Sequence, residues 1–295
     1  MDVFSSCRKL SLLPLLVALT AAIVPVLASD SIPAADANRS DTMLCQIRDH
    51  KDGLALWWTG QNGWLMKAQG VLIGTDLVLA DQERLDSPPP VSAEQIAPLL
   101  DVSIVTHGHS DHFHGPTSRI LLEKSRCIFV MPANCLDEAT QFGIPTDRLV
   151  VARPRQSLDV RGIRIDVLRA IHGDKQGAVY YEANLDDCGY LLHLDGKTVM
   201  QPGDSVLLED HLRLKHVNVL LFSPTEHNWL IDDSVTAIQT LEPDVILPQH
   251  RDTYPATERD AFWAKGYPFE VKSRLPNELR KRYRVVEMGE MVLVR

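Results

Sequence analysis

The stretch Thr106-His107-Gly108-His109-Ser110-Asp111-His112-Phe113-His114-Gly115 sets four histidines and an aspartate within eight residues. It follows the apolar, β-branched run Val102-Ser103-Ile104-Val105, which reads as a buried strand. The histidines therefore sit where a strand gives way to a loop. Imidazoles and carboxylates at this spacing are transition-metal ligands. His107 and His109, two residues apart, can turn their rings toward one point. Asp111 and His112, a step further along, can turn toward a second point close by. A solvated, histidine-rich loop would need neither this order nor the strand before it.

The N-terminus reads as a leader. Arg8 and Lys9 precede an apolar run from Leu10 to Leu27 that Pro14 and Pro25 interrupt, and Val26-Leu27-Ala28 offers small residues for cleavage. Residues 1–28 are thus expected to be a signal peptide, and the protein to be periplasmic or secreted. An uncleaved anchor is the alternative, because the run approaches spanning length. Residues 29–45 are small and polar and read as a flexible mature N-terminus. Residues 46–295 are expected to form one folded domain. The net charge of −9 argues against a nucleic-acid partner. A small molecule remains as the expected substrate, with a membrane reached only through the leader or a lipid-like substrate; the oligomeric state is open. Cys45, Cys127, Cys135 and Cys188 follow the leader, and pairing in an exported protein stays open among bridges and buried thiols.

Along the chain, short apolar runs at 54–58, 64–68, 71–74 and 77–80, separated by glycines, predict an antiparallel meander. Ser92 caps a helix over 93–100. Strands are expected at 102–105, 128–131, 149–152, 163–170, 188–194, 198–200, 217–222, 245–247 and 291–294. Helices are expected at 116–124, 133–142 and from Asp233 to 241. Asp195-Gly196 marks a hairpin. Strands and helices that alternate in two comparable halves predict two packed sheets with helices outside, an αβ/βα four-layer sandwich.

Three further candidate ligands fall where predicted strands end: His172 in Ile171-His172-Gly173-Asp174, Asp204 in Pro202-Gly203-Asp204-Ser205, and His250 in Pro248-Gln249-His250. His-x-His-x-Asp-His, a lone His, Gly-Asp-Ser and a late Pro-x-His, in this order, resemble the metallo-β-lactamase-fold hydrolases over roughly residues 50–255. The opening Trp57-Trp58-Thr59-Gly60-Gln61-Asn62-Gly63-Trp64-Leu65 resembles the branch that holds ascorbate-6-phosphate lactonase-like and N-acylphosphatidylethanolamine phospholipase D-like proteins.

That resemblance implies two divalent metal ions, zinc in the first place, with manganese or iron accepted by the same donors. His107, His109 and His172 would hold one ion and Asp111, His112 and His250 the other, with Asp204 bridging. A shared water of lowered pKa would attack an ester, lactone or phosphodiester of a small or lipid-like substrate. Asp111 would orient that water, and His227, in Glu226-His227 at another strand end, is a candidate to donate a proton to the leaving group or to bind substrate. Asp81 is expected to orient a ligand histidine. Asp204 where zinc β-lactamases carry Cys or Ser argues against antibiotic hydrolysis. An iron-dependent oxidoreductase, or an amide hydrolase that does not act on β-lactams, is the alternative on the same fold. His114, Tyr180 and Tyr181 are weaker candidates for the rim. Trp57, Trp58 and Trp64 read as packing residues, and His50, His193, His211 and His216 as structural or surface residues.

Overall fold

The computed structural model describes residues 34–80, 85–173, 184–259 and 261–295. The leader, Asp81, Tyr180 and Tyr181 lie outside the described residues. Of the segment expected to be flexible, residues 29–33 lie outside the described residues, and Ala34–Asp49 is a helix, α1. Its overall polarity conceals a short apolar stripe, Met43, Leu44 and Ile47, buried in one cluster with Trp57 and Leu65.

The first sheet is built from β1 (Leu54–Gly60), β2 (Gly63–Ala68), β3 (Val71–Thr75), β4 (Val102–Ile104), β5 (Ile128–Pro132) and β6 (Leu149–Ala152), laid side by side in chain order. β1 to β3 are antiparallel; β3 to β6 are parallel. Parallel neighbours need crossovers. These contain α2 (Ala93–Ile96), α3 (Gly115–Lys124) and α4 (Leu136–Phe142). The second sheet holds β7 (Ser157–Val160), β8 (Ile163–Arg169), β9 (Cys188–Leu194), β10 (Lys197–Gln201), β11 (Val219–Phe222) and β12 (Val245–Pro248), again in order. α5 (Glu209–Leu212) and α6 (Ile231–Leu241) carry its crossovers. β13 (Met291–Val294) returns to pair with β1.

Period-two alternation explains why these strands look apolar throughout. Leu54, Leu56 and Trp58 of β1 enter the core between the sheets; Ala55 and Trp57 enter the core under the first helical layer. In β11, Val219 and Leu221 face the central core, and Leu220 and Phe222 the helices of the second layer. Three cores thus separate four layers, as the sequence predicts. The three tryptophans are packing residues: each is buried in one of these cores.

Two strand expectations fail. Residues 77–80 form no ladder, because Leu79 donates to Thr117 Oγ1 and accepts from Ala93 N at the start of α2. β7 went unpredicted because its alternation is half exposed. The cysteines at 45, 127, 135 and 188 are free thiols, and burial pushes Cys188 up to about 12. No helix among the described residues is long and apolar enough to cross a membrane.

β8, β10, β11 and β12 run the same way, since β9 is antiparallel to both β8 and β10. Their carboxyl ends therefore share one rim, where open α/β sheets place their sites.

Candidate metal centre

The loop after β4 is anchored before it reaches its histidines. Thr106 donates from N and Oγ1 to the two oxygens of Asp76, at 2.8 and 2.7 Å. Its carbonyl accepts from Cys188 N of the other sheet at 3.0 Å. A tight turn follows, in which His112 N and Phe113 N both bond His109 O. This turn presents His107 and His109 on one side and Asp111 and His112 on the other.

The other strand ends complete the cluster. The ligand atoms of His107, His109 and His172 lie within 4.8 Å of one another, as do those of Asp111, His112 and His250. Asp204 joins two further groups of the same tightness, with His107 and His112 and with His172 and His227. All seven residues predicted as ligands are thus brought to one place. Gly203 is required beside Asp204: it has φ +65, and a Cβ there would stand 2.7 Å from Thr106 Cβ. Gln61, Asp76 and His250 also hold positive φ without being glycine, backbone strain of a kind that collects at functional sites.

His227 comes closer than the sequence implies. Its Nε2 lies 3.1 Å from Asp204 Oδ2, and its ring stacks on His172 at a centroid distance of 5.3 Å. Asp81 lies outside the described residues; among those described, Asp76 is the acid that orients a ligand histidine. Fully buried, it takes His112 Nδ1 at 2.9 Å. His112 therefore carries its proton on Nδ1, and Nε2 faces Asp111 and Asp204, each at 3.6 Å. The signal was present in Thr75-Asp76, a buried strand that ends on an acid, but the pair reads as a turn. Gln61 and Asn62 were missed as well. Gln61 Nε2 donates to Asp111 Oδ2 at 3.0 Å and Asn62 Nδ2 to Asp204 Oδ1 at 2.8 Å.

His114 stays outside the ligand groups. Its Nδ1 meets Thr117 Oγ1 at 2.8 Å. His193 bonds Asp166, and His211 is buried against Arg169 O; neither belongs to a ligand group. His50 bonds Gly53 O, and His216 lies 3.8 Å from Asp244.

The buried acids and imidazoles of the cluster shift one another. Burial alone would lower His112, yet Asp111, Asp204 and Asp76 outweigh it and hold its pKa well above the usual range. Burial would raise Asp204, but His250 and His112 hold it well below the carboxylate range. Burial and then His112 keep His107 neutral. The Nε2 atoms of His107 and His112 are buried without a hydrogen-bond partner. Buried polar atoms left in this way are costly unless something binds them. Imidazoles and carboxylates gathered like this are the donor types of a divalent transition-metal site.

The cluster opens into a cavity of 260 Å³, lined also by Phe262 and Trp263. A neighbouring cavity of 210 Å³ shares Asp111 and Trp263 and adds Val78, Leu85, Ser110, His114 and Tyr254. Phe262 and Trp263 belong to α7 (Ala261–Ala264) and the stretch after β12, so the aromatic wall does not come from the N-terminal tryptophans.

Comparison with known proteins agrees with this geometry. The family described as "Beta-lactamase superfamily domain" matches residues 55–250. A metal-dependent hydrolase of Desulforamulus reducens is 24% identical over 247 residues, covering 82% of this chain and 100% of its own. A probable L-ascorbate-6-phosphate lactonase of Shigella boydii is 24% identical over 247 residues, covering 68% of this chain and 70% of its own. The solved structure of a metallo hydrolase from the archaeon Ignicoccus hospitalis superposes with a TM-score of 0.63 at 21% identity, over 81% of this chain and 97% of its own. With the two-sheet sandwich and the clustered rim, these likenesses show that the chain belongs to the β-lactamase superfamily, among its metal-dependent hydrolases of the metallo-β-lactamase fold.

Proposed function

We propose that the protein is a binuclear hydrolase of small, uncharged esters or lactones. The observation that carries this reading is the pair of three-residue groups, His107/His109/His172 and Asp111/His112/His250, with the buried Asp204 against both. These seven residues would hold two divalent ions, zinc by preference of the donor set. When bound, such ions supply Lewis acidity and an activated water.

The chain's own residues do the rest. The Asp111 side chain is 25% exposed and faces the cavity. Its Oδ2 takes the Gln61 amide, which leaves Oδ1 to orient a water. His227 lines the same cavity, and burial lowers its pKa despite Asp204. With Nε2 against Asp204 Oδ2, its protonated form is a strong acid; in this reading the ring takes up the proton that the attacking water loses and passes it to the leaving group. Phe262, Trp263 and Tyr254 exclude water from one side and offer an apolar wall.

The described lining of both cavities contains no lysine or arginine. A phosphorylated lactone, the substrate named for the Shigella relative, would lack a cation among these residues to receive its phosphate. The apolar wall of Phe262, Trp263 and Tyr254 favours an uncharged substrate. The basic residues and apolar run at 8–27 support export, with hydrolysis in the periplasm or outside the cell.

The test combines metal analysis of the purified protein with a panel of neutral lactones, neutral esters, phosphodiesters and phosphorylated lactones. Two equivalents of metal and turnover of neutral lactones or esters, lost in Asp204→Ala, are expected. One equivalent, or turnover confined to phosphorylated substrates, would overturn the reading.

A further inference from the structure

The two oxygens of Asp204 have different surroundings. Oδ2 has the Nε2 atoms of His227, His250, His172 and His112 around it, at 3.1, 3.2, 3.5 and 3.6 Å. Oδ1 instead accepts from Asn62 Nδ2 at 2.8 Å. Both residues are buried. The Asn62 amide has one satisfactory orientation. Its own Oδ1 accepts from Ser223 Oγ at 3.1 Å, and a flipped amide would set a carbonyl oxygen against the carboxylate.

Asn62 is held in turn by other amides. Its main-chain carbonyl accepts from Gln201 Nε2 at 3.2 Å. Gln201 and Gln249 exchange two hydrogen bonds, of 3.1 and 2.7 Å, and Trp64 Nε1 donates to Gln249 Oε1 at 2.9 Å. The network runs from the β1–β2 turn of one sheet to the ends of β10, β11 and β12 in the other. A buried, paired network of this kind rigidifies what it holds.

We infer that Asn62 is a positioning residue that reserves Asp204 Oδ1, so that Oδ2 alone is offered to both ligand groups. The inference rests on the binuclear reading above. A carboxylate free to turn would offer both oxygens to one ion, and the other ligand group would lose its shared partner. With Oδ1 held by the amide, Oδ2 is common to both groups.

The experiment is a Co²⁺ titration of the full chain, wild type against Asn62→Ala, followed by metal analysis and visible absorption. The wild type should take up two equivalents. Asn62→Ala should bind the second equivalent about 10–100-fold more weakly, with a changed absorption spectrum. Fewer than two equivalents in the wild type would sink the binuclear reading itself. Two equivalents of unchanged affinity and spectrum in both proteins would overturn the role of Asn62 and leave the binuclear reading intact. Should Asn62→Ala not fold, the side-chain amide of Asn62 in ¹⁵N-labelled wild type decides. Its resonances should shift on loading with Zn²⁺; unmoved resonances would overturn the inference.

Discussion

The floor and the mouth of the site are built on different physics. The floor consists of Asp76, Thr106, Asn62, Gln201 and Gln249, all buried and joined by directional hydrogen bonds. The mouth consists of Phe262, Trp263 and Tyr254, half-buried and arranged by packing, with Tyr254 and Trp263 tilted at 5.9 Å. Directional bonds fix ligand atoms to within tenths of an ångström, whereas apolar walls fix only shape. Metal binding and substrate choice should therefore be separable by mutation. His250 is the seam between them: its Nε2 faces Asp204 and its Nδ1 donates to the main-chain carbonyl of Trp263 at 3.0 Å.

The largest effect is expected at the carboxylate that the floor holds in place. Asp204→Ala should cost more than ~100-fold in metal affinity, beyond the usual loss for a residue that only supports a ligand. Hydrolysis should disappear with it; equilibrium dialysis and a rate assay check both. Asp76→Ala comes next. It strands three buried donors, Thr106 N, Thr106 Oγ1 and His112 Nδ1, at about 3 kcal/mol in total. The melting temperature should fall by roughly 5–10 °C, with metal affinity down about 10–100-fold. If Asp76→Ala lowered activity but left melting and metal content unchanged, the floor would not be the rigid unit described here.

A third probe lies outside both regions. His211 is buried, bonds Arg169 O at 2.9 Å, and is lowered by burial to about 4. Its folded pKa lies below its unfolded value, so the unfolded chain binds the extra proton. The stability it contributes is complete above about pH 6.5 and is lost as pH falls toward 4, amounting to about 2 kcal/mol by pH 5. Urea melts at pH 7 and pH 5 should show this difference in the wild type and a smaller one in His211→Gln. An equal loss in both would assign the acid sensitivity to the metal-binding floor.

The smallest effect belongs to the mouth. Trp263→Ala removes an apolar wall but keeps the main-chain carbonyl that holds His250. KM for an apolar substrate should rise about tenfold with metal content unchanged. Loss of metal in this variant would mean that mouth and floor are not separable.

The sequence by itself determined the local half of this protein. Period-two apolar runs located most strands, Asp195-Gly196 gave the β9–β10 hairpin, and the spacing of His107, His109, Asp111 and His112 announced a loop crowded with ligand-type side chains, because these signals depend on neighbours a few residues apart. That His172, Asp204 and His250 gather beside that loop was legible too, from polar residues at strand ends. Helix α1 was not, because its apolar stripe emerges only when packed against Trp57. Nor was the partner of His112: Thr75-Asp76 is a turn by composition and becomes an anchor only because the parallel pairing of β3 with β4 sets Asp76 beside Thr106. Asn62 has no signal of its own. It holds Asp204, 142 residues away, because two sheets stack with their rims aligned. Only tertiary structure makes such a contact, since the directional bonds that select it act over about 3 Å and carry no trace along the chain.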